Sequence, residues 1–330
     1  MKLTLSRFAK YAWAVLAYNM LVILYGAFVR ATGSGAGCGA HWPLCNGVIV
    51  PRPERIETLI EFGHRVTSGI TLPLLLILVI WAWRMYGKGS PLRVSSGLAM
   101  FFIITESLVG AGLVLFKMVA DNDSIARAIW MMAHLVNTFL LLASLTLTAW
   151  WASVGAPERL SLHGSAGALL IGGTLAMLLL AASGGVTALG DTLYPSGTLA
   201  EGVAQDFSPT AHWLVRMRIY HPGIAVSVGI YLFFATAWVR RKISAPRLEA
   251  LTNELFGLYV TQIILGLINV ALLAPVWMQI IHLLVSNLVW IAFILLTAVG
   301  LSSGVPVSAT RSEERAPSGG RAAPGRPSAP

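Results

Sequence analysis

Eight stretches of this chain are apolar over about the 20 residues that a helix needs to cross the hydrocarbon core of a bilayer. They are expected at 11–29, 65–86, 96–116, 128–151, 164–186, 219–239, 255–274 and 279–301, with polar or Gly/Pro-rich segments between them. The fold class is therefore an all-α integral membrane protein with eight transmembrane helices, its apolar surface facing the lipid bilayer. Charged residues make up only 11%, against about a quarter in soluble domains. Mean hydropathy of +0.73 points the same way. The first run follows a basic start (Lys2, Arg7, Lys10) and carries no small-residue cleavage site, so it reads as a retained span. Residues 302–330 are rich in Pro, Ala, Ser, Gly and Arg and are expected to form a disordered cytoplasmic tail.

The formal charge of +9 has a topological reading, not a nucleic-acid one. With the N-terminus inside, inner segments carry 15 Lys and Arg and the longer outer segments carry 8. The positive-inside rule then places both termini in the cytoplasm of a multi-pass protein of the cell (plasma) membrane.

The second half of the chain echoes the first. Val29-Arg30-Ala31-Thr32-Gly33 matches Val186-Thr187-Ala188-Leu189-Gly190 at an offset of 157, and His64 matches His221 at the same offset. Thr105, Gly110 and Val114 match Thr261, Gly266 and Val270 at 156, and His134-Leu135 matches His282-Leu283 after a shorter loop. Four matches in order point to duplication of a four-helix unit. The expected architecture is two pseudo-twofold-related four-helix bundles, residues 1–155 and 156–301, related by an axis along the membrane normal.

His64, His134, His221 and His282 each fall about one turn inside the outer end of an expected span. Ionisable groups within a membrane are costly and mark function by default. Each alone reads first as a buried hydrogen-bonding residue. As a repeat-matched set they read as two bis-histidine slots between facing helices, each able to hold a heme. Gly63 and Gly69 beside His64, and Gly223 beside His221, would let a flat macrocycle approach the backbone. Copper or zinc sites usually gather three or four ligands, and no carboxylate or thiolate accompanies the second pair. His41 and His163 read as solvated or interfacial. His212, nine residues before His221, reads as that or as a cover for a heme edge.

The halves differ where chemistry would occur. Glu61 lies one turn before His64, and the matching position before His221 is Arg218. An arginine there suits a heme propionate, as would Arg216 or Arg65. A carboxylate suits proton abstraction or stabilisation of positive charge beside the ring. The alternative for Glu61 is a salt bridge to Arg65 on the next turn. The outer loop, residues 30–62, holds Cys38 and Cys45, the only cysteines, with six residues between them on the oxidising side. They can form a disulfide, either a structural staple or an exchangeable bond.

Gly33-Ser34-Gly35-x-Gly37-Cys38-x-x-x-Trp42-Pro43-x-Cys45-Asn46-Gly47, followed by Ile60-Glu61-Phe62-Gly63-His64-Arg65, resembles the heme A synthase family, as do Arg216-Met217-Arg218-Ile219-Tyr220-His221-Pro222 and His282-Leu283-Leu284. The resemblance covers roughly residues 10–300. It implies a membrane oxidoreductase that converts a ring methyl of heme O to a formyl group by two successive hydroxylations, giving heme A for terminal oxidases. It also implies a resident heme b with His221 and His282 as axial ligands, and His64 and His134 as the substrate-heme histidines. Glu61 matches the essential loop carboxylate, and Cys38 and Cys45 match the cysteine pair that only some members carry. A heme O synthase and a membrane electron acceptor are the partners such an enzyme implies.

Rival readings use some of the same residues. A diheme electron carrier leaves Glu61 and the cysteine loop without a role. A heme-handling transporter has only Trp150-Trp151 in its favour. A prenyltransferase needs aspartate-rich motifs for magnesium diphosphate, and Asp121-Asn122-Asp123 is the one candidate.

Overall fold

The computed structural model describes residues 5–52, 55–157, 164–243 and 245–303. The expected tail from residue 304 onward and His163 lie outside them. The helices are α1 (Arg7–Ala31), α2 (Ile56–Met85), α3 (Pro91–Leu115), α4 (Ile125–Val154), α5 (Gly164–Leu193), α6 (Leu199–Phe207), α7 (Trp213–Met217), α8 (Tyr220–Lys242), α9 (Pro246–Ala271) and α10 (Val276–Ser303). Eight spans are long and apolar enough to cross a membrane, with α7 and α8 together forming the sixth.

Most of these helices run beyond their apolar centres. α2 begins at Ile56, nine residues before the expected start, so His64 lies more than two turns inside it. The extension carries Glu61, which bonds Arg65 at the start of the expected span, so neither side chain needs water. α4 begins with Ser124, whose hydroxyl accepts the Arg127 N–H at 3.2 Å. The Arg127 guanidinium then folds back onto the carbonyls of Ala120 and Asn122. α3 and α9 start at prolines, where no intrahelical amide is needed.

α1 and α3 each pack on both α2 and α4, placing α2 and α4 across a diagonal. In the second half α8 and α10 each pack on both α5 and α9. α4 meets α5 and α10, and α1 meets α10, so the two sets join along the most buried helices. There Trp290 is fully buried and its Nε1–H donates to the Phe139 carbonyl at 2.7 Å. A buried indole N–H left unbonded would cost free energy, so this bond helps fix how α10 sits on α4. Arg30 makes a second tie, from α1 to the Ala188 carbonyl, Thr192 and Gln279. Exposed Leu175, Leu179, Phe234, Val260, Ile264 and Leu267 line the outer faces of α5, α8 and α9. Apolar side chains so extensively exposed belong in lipid, not water.

Candidate functional site

Each of the four histidines lies over a glycine on the preceding span. A Cβ on Gly26 would sit 3.0 Å from the His64 ring, and one on Gly184 would sit 3.0 Å from His221. The corresponding distances are 3.8 Å from Gly110 to His134 and 3.3 Å from Gly266 to His282. Gly26 and Gly184 thus back the first histidine of each half, although the 157-residue offset pairs Gly26 with Ser183, whose hydroxyl lies beside His221. His64 and His134 lie on the diagonal helices α2 and α4, and His221 and His282 on α8 and α10.

The ring nitrogens are sparsely bonded. Nδ1 of His64, His134 and His282 is buried without a hydrogen-bond partner. His221 Nδ1 is 2.9 Å from the Ser183 hydroxyl, and His282 Nε2 is 3.0 Å from the Gln262 side-chain nitrogen. Gly69 and Gly223 are exposed, and a Cβ on either would meet nothing within 4 Å. Gly63 instead makes room for the Tyr25 hydroxyl, which a Cβ would meet at 2.3 Å. Histidine pairs with orphaned nitrogens and glycine backing fit a heme.

Around His64 the cysteine loop is clasped to α2. Cys38 and Cys45 are joined by a disulfide, both are buried, and their Cα atoms lie 4.4 Å apart. Gly37 lies so close to α2 that a Cβ would meet the Glu57 carbonyl at 2.3 Å. Thr58 donates to the Gly37 carbonyl at 2.8 Å. Glu61 is 3% exposed; one carboxylate oxygen accepts the Cys38 N–H at 2.7 Å. Its other oxygen accepts from Arg65 Nε at 3.1 Å and Nη2 at 2.5 Å. Arg65 Nη1 also donates to the carbonyls of His41 and Leu44. The salt bridge considered for Glu61 is therefore present, but buried and tied to the disulfide loop. His41 contributes its carbonyl and is otherwise exposed.

Arg218 is already engaged. It pairs with Asp206 at 2.7 Å and Asp191 at 3.3 Å, and bonds the Tyr194 carbonyl. A guanidinium facing two carboxylates is a weaker propionate partner than its sequence position implied. His212 caps α7 and lies 3.5 Å from Asp123. It stacks on Tyr194, whose hydroxyl donates to Asp123 at 2.5 Å. That bond holds the Asp123 carboxyl below its usual range and raises the Tyr194 phenol.

Sequence reasoning missed one cluster entirely. Glu106, inside α3, accepts from Asn137 and Thr138 and faces His134.

Residues 9–294 match the cytochrome oxidase assembly protein family (COX15-CtaA). The chain belongs to this family. Curated heme A synthases are among its relatives, in keeping with the motif resemblance. That of Halalkalibacterium halodurans is 46% identical over 97 residues, 29% of this chain and 33% of that protein. That of Lysinibacillus sphaericus is 41% identical over 112 residues, 34% of this chain and 36% of that protein. A Thermus thermophilus protein named protoheme IX farnesyltransferase is 54% identical over 299 residues, 91% of this chain. The chain spans about half the length of that relative, 49%.

Proposed function

We propose that this chain is a heme A synthase, oxidising a ring methyl of heme O to a formyl group by successive hydroxylations. Residues 1–155 receive the substrate between His64 and His134. Residues 156–301 hold a heme b between His221 and His282, which supplies a path for the electrons removed from the methyl. One observation carries this reading: each half sets two histidines over glycines of the preceding spans, and only the first has the Glu61–Arg65 clasp and disulfide loop beside it. Glu61 places negative charge one turn from His64, where it stabilises positive charge developing at the reacting carbon. Cys38 and Cys45 shape the loop that closes over this end of the site, and Arg65 holds that loop while neutralising Glu61 in the resting state.

The name of the Thermus relative raises a prenyltransferase reading. We assign that activity to the half of the relative that this chain does not span. Here Asp123 is committed to Tyr194, and Asn122 bonds the Lys117 carbonyl and Ser124, so the Asp121-Asn122-Asp123 turn is built as a structural turn. A longer relative with a heme farnesylating name also supports heme O as the substrate and a heme O synthase as the partner that supplies it. A membrane acceptor takes up the electrons.

We place the protein in the cell membrane with both termini cytoplasmic. The 15 inner against 8 outer Lys and Arg support this orientation.

His64→Ala and His134→Ala should each abolish heme A formation while the second-half heme stays at full occupancy. Heme extraction alongside the low-spin absorbance of the purified variants checks this. Loss of all heme from a folded variant would move the resident cofactor to the first half and overturn the division of labour.

A further inference from the structure

Glu106 is a carboxylate within a membrane-spanning helix, and among the described residues its ion-pair partner is His134, with no lysine or arginine. Such a group is expensive unless something uses it. Oε1 is 3.5 Å from His134 Nδ1. The same oxygen accepts from the Thr138 hydroxyl at 2.5 Å, and Oε2 accepts from Asn137 Nδ2 at 2.6 Å. Asn137 is itself fixed by the Phe102 carbonyl at 2.9 Å and by Thr105 at 2.6 Å. The anchored carboxylate faces the imidazole, whose Nδ1 has no hydrogen-bond partner of its own.

The second half lacks this arrangement. Thr105 and Thr261 match at an offset of 156, so the partner of Glu106 is Gln262. Asn137 and Thr138, counted from His134, correspond to Val285 and Ser286, counted from His282. Gln262 does approach the histidine of its half, but as a neutral amide and at Nε2. Charge and the residue that anchors it have changed together, which single drift at one position would not produce.

We propose that Glu106 is a positioning residue for the substrate heme: anchored by Asn137 and Thr138 and facing the unpartnered Nδ1 of His134, it takes that N–H when the heme binds, leaves Nε2 for the substrate iron, and sets negative charge behind that ligand in the first half alone. This rests on the reading of His134 as a substrate-heme ligand. A carboxylate on the far nitrogen of a ligand imidazole fixes its tautomer and raises its basicity. A more basic axial ligand favours the ferric state and lowers the reduction potential. The heme whose methyl is oxidised is thereby held oxidised more firmly than the heme that only passes electrons.

The experiment is a potentiometric titration of the full chain, purified with its second-half heme and loaded with heme O, followed by absorbance and electron paramagnetic resonance. In Glu106→Gln the first-site heme should become easier to reduce, by about tenfold in the ratio of reduced to oxidised, or about 59 mV for one electron. The second-half heme should keep its potential, which shows that the fold is intact. In Asn137→Val the charge remains but its anchor is lost. The ferric resonance of the first site should then broaden or shift, a signature that keeps the test decisive should Glu106→Gln fail to take up heme O. Unchanged first-site potential in Glu106→Gln would overturn the proposal, as would an unchanged resonance in Asn137→Val. A wild-type chain that takes up no second heme would overturn this proposal and the proposed function together, whereas normal uptake with unmoved potentials would sink the role of Glu106 alone.

Discussion

His221→Ala and His282→Ala will each purify without the resident heme. The two imidazoles lie on α8 and α10, helices set across a diagonal, and each packs on a glycine of the preceding span. If they hold the proposed heme b, losing either leaves its iron with one protein ligand. It also removes the ring that packs on Gly184 or Gly266 and leaves a void there. The expected result is complete loss of the low-spin absorbance from a protein that remains monodisperse in detergent. Full heme content with an unchanged spectrum in either variant would show that the ligand pair is wrong.

Glu61→Gln is expected to bind heme O and fail to make heme A, or to stall at the hydroxylated intermediate. The pair it breaks is buried, with Glu61 3% exposed. Removing one partner of a buried ion pair costs about 3–5 kcal/mol, because the surviving charge is stranded. That is well above the ~1 kcal/mol typical of an exposed pair. A loss of activity in the single variant therefore mixes chemistry with a loosened loop. The double variant Glu61→Gln, Arg65→Gln separates them, since it strands no charge and lets two amides bond one another. If the negative charge of Glu61 acts on the substrate, the double variant stays inactive with heme O bound. Recovery of heme A in the double variant, or near-normal heme A in the single one, would reduce Glu61 to a clasp for the Cys38–Cys45 loop.

The spans were legible because lipid imposes a length and a polarity that few other structures need. Their ends were not, because polar residues extend a helix wherever a tertiary partner satisfies them. Glu61 with Arg65 does this in α2, and Arg127 with Ala120 and Asn122 does it in α4. The histidines stood out for the same reason that Glu106 should have: each is ionisable within an apolar run. Glu106 passed unnoticed because its partners Asn137 and Thr138 lie on another helix, although the offset already pairing Thr105 with Thr261 pairs it with Gln262. α6 was read as loop, yet Thr198 and Glu201 stand at capping-box spacing, and the Thr198 hydroxyl accepts the Glu201 N–H at 3.1 Å. The use of Arg218 could not be read locally, since Asp191 and Asp206 reach it from α5 and α6.

The most direct measurement is extraction and chromatography of hemes from membranes that make heme O, with and without this chain. With the chain present, heme O should fall and heme A should appear, and both changes should vanish in His134→Ala at matched protein level. Membranes that keep all their heme O while the chain itself carries two tightly held b hemes would contradict the synthase reading and leave an electron carrier in its place.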